Sequence, residues 1–111
     1  MRWIYLSPHL DDAVLSCGGI IFNQRNAGIP VEIWNWMSGI PADDMPLSEL
    51  ARSVHAGWEL DSVKKVYAAR LAEDRQAAAR VDAQTRYFDF LDCIYRQADD
   101  GIFLYSDELF V

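Results

Sequence analysis

The stretch Trp3-Ile4-Tyr5-Leu6-Ser7-Pro8-His9-Leu10-Asp11-Asp12, running on into Ala13-Val14-Leu15-Ser16-Cys17-Gly18-Gly19, decides how the chain reads. Trp3 to Leu6 form a continuous apolar run, the pattern of a short strand buried on both faces. Ser7-Pro8 ends it, because proline removes a ladder donor and forces the residue before it to be extended. Asp11 or Asp12 can then cap a helix over about residues 13–26, closed by Gly28. Between strand and helix stand one histidine and two adjacent carboxylates. They are poor choices for packing and good ones for holding a divalent metal with its water. The plainer readings are an aspartate serving as N-cap and a His9 satisfied by a backbone carbonyl.

Working outward, residues 31–37 (Val-Glu-Ile-Trp-Asn-Trp-Met) alternate apolar and polar side chains and read as a second strand. Residues 38–46, with Gly39, Pro41, Asp43, Asp44 and Pro46, are a loop. Ser48 caps a helix through about Leu60. After a break near Asp61 a longer helix covers about residues 62–82, with Val63, Val66, Tyr67, Leu71, Ala78 and Val81 near helical spacing and charged residues at most other positions. Residues 85–90 are a third strand candidate, and residues 92–101 a polar loop interrupted by Ile94-Tyr95. Strand, helix, strand, helices, strand is the start of a doubly wound, Rossmann-like α/β fold, a parallel sheet flanked by helices. Ligands of such sheets bind beyond the carboxyl ends of the strands. His9 to Asp12 fall there, and Asp92, after the third strand, can join them. Trp34 and Trp36 share one strand face and read as core or interface, as do Trp3 and Trp58.

Length and composition narrow the function classes. The 111 residues make at most one domain, and 51% hydrophobic content with 13% aromatics excludes disorder. A net charge of -7 with ten scattered basic residues argues against nucleic acid as a partner. No apolar stretch approaches the roughly 20 residues of a membrane span. Cys17 and Cys93, without CxxC spacing, are expected as free thiols, and the simplest location is cytoplasmic. The chain stops inside the apolar-rich run Gly101 to Val111, so the domain is expected to be incomplete. An apolar face left bare would make the isolated stretch prone to associate, a homo-oligomer being one outcome.

The groups of the first loop suit a divalent metal and a water activated by it. Neutral imidazole on His9 and carboxylate on Asp12, three residues apart on a tight turn, can both reach one zinc ion. A free carboxylate beside metal-activated water, here Asp11, is a general base. At this point the residues carry a family likeness. Ser7 to Gly19 resembles the opening motif A-H-P-D-D-E-x-L-x-x-G-G of the LmbE-like, or PIG-L, zinc-dependent N-deacetylases. Arg70-Leu71-Ala72-Glu73 resembles their R-x-x-E on a later helix, and Asp92 their aspartate after strand three. The resemblance covers nearly the whole chain in order and rough spacing. It implies that residues 1–111 are the N-terminal part of a single deacetylase domain. It also implies that His9 and Asp12 bind Zn2+, that Asp11 is the general base and that Arg70 faces the substrate. The substrate would be a small N-acetylated sugar or glycoconjugate, whose N-acyl group is removed by hydrolysis.

Departures from the family pattern also have consequences. Leu10 stands where the family often has proline, and Ala13 where it often has glutamate. Catalytic zinc generally takes three protein ligands and a water. The family's third ligand comes from a His-x-x-His segment expected beyond Val111, and the one other histidine here is His55. His55 reads as a mid-helix residue not aimed at the first loop, so the stretch alone is expected to be inactive. Two other classes compete: a non-catalytic or degenerate binding domain of the same fold, and a receiver-like signalling domain. The second would need a lysine after a fifth strand, and no lysine follows Lys65.

Overall fold

The structure is a computed structural model that describes residues 1–58 and 62–106. Three strands, β1 (Trp3–Ser7), β2 (Val31–Asn35) and β3 (Gln84–Tyr87), form a parallel sheet in the order β1-β2-β3. Helix α1 (Asp12–Asn26) joins β1 to β2, and helices α2 (Glu49–Gly57) and α3 (Val63–Arg80) join β2 to β3. A 3-10 turn at Cys93–Tyr95 follows. Trp3 pairs with Val31 and Ser7 with Asn35, while Asn35 pairs onward with Tyr87, so the three strands end level.

Local signals account for most element ends. Ser48 and Ser62 cap α2 and α3, each side-chain oxygen accepting the backbone N–H three residues on. Gly28 takes φ 78° after α1, a left-handed conformation that glycine adopts at no steric cost. The second strand stops at Asn35 rather than Met37, because Met37 turns out into an isolated antiparallel bridge with Asp89. The third spans Gln84–Tyr87 rather than residues 85–90. The expected continuation of α2 to Leu60, the break at Asp61 and the apolar end at 107–111 lie outside the described residues.

Val31 and Ile33 of β2 are buried beneath Ala13 and Ile21 of α1 and beneath Ala78 and Val81 at the end of α3. Both helices cover this one face, as successive right-handed crossovers in the order 1-2-3 require. The expectation that Trp3 to Leu6 are buried on both faces is therefore corrected. Among the described residues β1 is an edge strand, and Leu6, pointing away from the helices, is 64% exposed. Trp34 shares that second face with an aromatic row in which Trp36 stacks on Phe88 at 4.5 Å and meets Phe90 at 5.7 Å.

A second apolar cluster joins Leu50 and Ala51 of α2, Tyr67 of α3, and Ile94 and Tyr95. The segment after Asp92 thus differs from the polar loop expected: Ile94 and Tyr95 are both buried. This cluster anchors the chain after β3 beside the first loop. Among the described residues, no helix is long and apolar enough to cross a membrane.

Candidate active site

The first loop is shaped by Ser7, which is fully buried. Its hydroxyl donates to the His9 carbonyl at 2.7 Å and accepts the Ala13 N–H at 3.2 Å. Ser7 thereby takes over part of the capping of α1. Asp11 occupies the N-cap position but makes no capping hydrogen bond, and it sits in the left-handed region at φ 73°. The simple N-cap reading fails for Asp11. Asp12 instead folds back, its Oδ2 accepting the His9 N–H at 3.1 Å. Backbone bonds from Trp36 to Ser7 and from Met37 to Pro8 fasten the loop against the chain after β2.

These constraints bring three of the sequence-identified residues together. His9 Nδ1 lies 3.5 Å from Asp12 Oδ2, and both side chains are about half exposed. The other ring nitrogen, Nε2, lies 3.0 Å from Asp92 Oδ2, so Asp92 does reach the first loop. Asp92 is itself held by its Oδ1, which accepts the Ile94 N–H at 3.2 Å. Asp11 turns elsewhere. Its Oδ1 is buried and has no hydrogen-bond partner among the described residues. Burial raises its pKa above the ordinary aspartate value. The Asp74 carboxylate pushes the same way; Arg70 pulls against it, and Glu73 and Asp12 add lesser upward pushes.

Arg70 places its guanidinium over the Trp58 ring, 5.6 Å from the centroid. Among the described residues it forms no ion pair with Glu73 or Asp74, the surface alternative for a helix arginine. Trp58 and Arg70 stand between two cavities. A small one of about 90 Å³ has His9, Met37, Tyr67 and Asp92 on its walls, and a larger one of about 340 Å³ has Asp11, Ala69 and Glu73. His55 stays out of the first loop. It bonds to the Tyr95 hydroxyl and stacks on Trp58, so its part is to pack the floor under the Trp58–Arg70 pair.

The donor set fits zinc in part. In a tetrahedral site with bonds of about 2.1 Å, neighbouring donor atoms are about 3.4 Å apart, close to the His9–Asp12 separation. Imidazole and carboxylate are suitable donors, and the unpartnered Asp11 oxygen marks a buried position awaiting a polar partner. Among the described residues, however, no group of three His, Cys, Asp or Glu side chains is set to share one ion. Asp92 meets the opposite ring nitrogen of His9 and so cannot bind on the Asp12 side.

Two residues at the site escaped the sequence reading. Trp58 carried no motif. Asp74, one of the charged positions of α3, accepts the Asp11 N–H at 2.9 Å and is 2% exposed. A signal was present: Asp74 lies seven residues after Tyr67 and four before Ala78, an acid within the apolar stripe of the helix.

No protein-family model matches the chain. A 2'-N-acetylparomamine deacetylase of Niallia circulans is 30% identical over 86% of this chain and 38% of its own length. A deacetylase solved in complex with teicoplanin, from the teicoplanin biosynthesis pathway, superposes with a TM-score of 0.82 at 35% identity, over 94% of this chain and 40% of that one. The zinc-inhibited form of teicoplanin deacetylase superposes with a TM-score of 0.80 at 34% identity, over 94% and 38%. The chain spans about two-fifths of the length of these relatives. Its homologues are deacetylases, and it shares with them a parallel α/β sheet flanked by helices.

Proposed function

We propose that residues 1–111 are the N-terminal part of an LmbE/PIG-L-type, zinc-dependent N-deacetylase that hydrolyses the N-acetyl group of an amino-sugar-type substrate. The observation carrying this reading is the pairing of His9 and Asp12 donor atoms 3.5 Å apart beside the buried, unpartnered Asp11 carboxylate oxygen. The deacetylase names of the homologues support the reaction class, and their greater length supports a third ligand contributed beyond Val111. Free Cys17 and Cys93 support a cytoplasmic location.

In this reading His9 and Asp12 would hold the metal. Zinc, when bound, lowers the pKa of a water from about 15.7 towards about 7 and polarises the acyl carbonyl. Asp11 accepts a proton from the attacking water at its buried Oδ1. The amide C–N bond then breaks as Asp11 returns the proton to the leaving amine, and the acyl group departs as the carboxylic acid, which gives its remaining proton to solvent or to the freed amine. Raised by burial, the Asp11 carboxyl is better suited to hold that proton between the two transfers than an exposed aspartate would be. Arg70 and Trp58, between the two cavities, orient the sugar.

The decisive experiment compares the 111-residue chain with the same chain extended past Val111, measuring zinc content and amine release from an N-acetylglucosamine-type substrate. The expected result is zinc retention and activity in the longer protein alone, with activity lost in Asp11→Asn. Amine release that survives Asp11→Asn removes the assigned base. The competing reading, a non-catalytic binding domain, draws on the two-donor set found among the described residues. It requires weak zinc binding and no amine release from either protein.

A further inference from the structure

We propose that Asp74 is the positioning residue of this site, its buried carboxylate holding the Asp11 backbone in the left-handed turn that turns the Asp11 side chain inward. The inference rests on the deacetylase reading for its catalytic consequence, but its geometry stands separately. Asp74 Oδ1 accepts the Asp11 N–H at 2.9 Å, while Oδ2 accepts the Asn35 side-chain amide at 3.1 Å and the Tyr87 hydroxyl at 2.7 Å. One carboxylate therefore ties the loop after β1 to the last residues of β2 and β3. Those three points lie side by side at the carboxyl end of the sheet, since Ser7, Asn35 and Tyr87 are in register.

A purely structural tie between α3 and the sheet does not need this residue. The neighbouring stripe positions are filled by Val66, Tyr67 and Ala78, which bury apolar surface without desolvating a charge. A carboxyl group in the interior is costly and is retained where its hydrogen bonds specify a geometry. Here the specified geometry is the strained one. A non-glycine residue at φ 73° is uncommon, and it persists only when its surroundings over-determine it. The Asp11 N–H, with no acceptor of its own in the first turn of α1, is fixed by Asp74, and the Asp11 carbonyl by the Leu15 N–H at 2.9 Å. With both backbone groups held, the direction of the Cα–Cβ bond is set, and the side chain lines the larger cavity with Arg70 and Glu73.

The test uses the full-length protein carrying this chain. Asp74→Asn keeps the size but presents an NH2 to one of three donors. It is expected to lower kcat about 10- to 100-fold, the range typical of residues that orient a catalytic group. KM and zinc affinity should stay within about threefold, and hydrogen exchange of the Asp11 amide should accelerate at least tenfold while α3 amides keep their protection. In an Asp11→Asn background the residual amine release, read at high enzyme concentration, should fall no further, a readout that a merely stabilising role would not produce. An equal loss of activity in both backgrounds, or unchanged Asp11 exchange, would overturn the assignment. If Asp74→Asn proves too unstable to purify, Asp74→Glu replaces it. Its longer arm should displace the loop and give the same kcat-selective loss, and full activity would again overturn the assignment. If the wild-type protein releases no amine, the deacetylase reading fails, and the positioning claim stands or falls on the exchange measurement alone.

Discussion

His9 and Asp92, separated by most of the chain, meet with Nε2 and Oδ2 3.0 Å apart, on the ring edge opposite Asp12. The geometry sorts the two nitrogens. A carboxylate beside Nε2 favours the proton on that nitrogen, and this tautomer would leave the Nδ1 lone pair on the Asp12 side, where the proposed metal would be held. Carboxylates in this relation fix the tautomer and ring orientation of a metal-binding histidine. Asp92 is in turn held by the Ile94 N–H, so the second apolar cluster fixes the direction of the imidazole.

Asp92→Asn retains the shape, but its NH2 group can face Nε2 and so favour the proton on Nδ1. Zinc affinity of the extended protein is expected to fall about 10- to 100-fold. Competition with a chromogenic chelator measures this directly. An affinity within twofold of wild type would show that Asp92 does not select the tautomer.

Arg70→Lys keeps the charge and loses the flat guanidinium that lies over Trp58. If the pair orients substrate, KM for an N-acetylated amino sugar should rise about tenfold, a loss of about 1.4 kcal/mol in binding, with kcat changed less. Initial rates over a range of substrate concentrations separate the two. A fall in kcat with KM unchanged would point to a role at the reacting carbonyl instead.

His55 supplies a pH dependence of stability. Burial holds its pKa below the ordinary histidine value, and its partner Tyr95, a phenol pushed upward by burial, stays neutral. Between the unfolded value near 6.5 and the lower folded value, the unfolded chain binds more protons. The contribution is therefore complete above about pH 6.5 and is lost as pH falls through that value towards the folded one. Urea midpoints at pH 5 and pH 8 should differ less in His55→Gln than in the wild-type chain. An identical pH difference in the two would remove His55 as the source.

Gly39 is needed for close approach rather than for unusual dihedrals. A Cβ there would lie 2.9 Å from the Phe90 carbonyl oxygen and 3.0 Å from Asp89, where the Gly39 N–H bonds to Phe90. Backbone cannot yield as a flexible side chain can. Gly39→Ala is expected to cost about 1–3 kcal/mol in chemical denaturation, the usual range for overpacking. Because the displaced segment leads to Asp92, zinc affinity should weaken as well. Wild-type stability in this variant would mean that the two segments separate readily.

The sequence alone was sufficient for whatever depends on a few consecutive residues. The strand of β1 and its stop at Pro8, the cap Ser48, the glycine after α1 and the cluster His9-Leu10-Asp11-Asp12 are local matters. Propensity, capping and spacing express them directly. Tertiary structure alone determined that Leu6 lies on an exposed sheet face, that Ile94 and Tyr95 are core and that Asp92 reaches His9. It also turned Asp74 from an apparent surface charge into the acceptor for the loop, a bond spanning 63 positions of sequence. The physical reason is the same in each case. Which face a strand buries, and which distant donor finds a carboxylate, depend on how α1, α3 and the turn after β3 pack on the sheet; the helical stripe can mark Asp74 as buried, but it cannot name a partner 63 positions away.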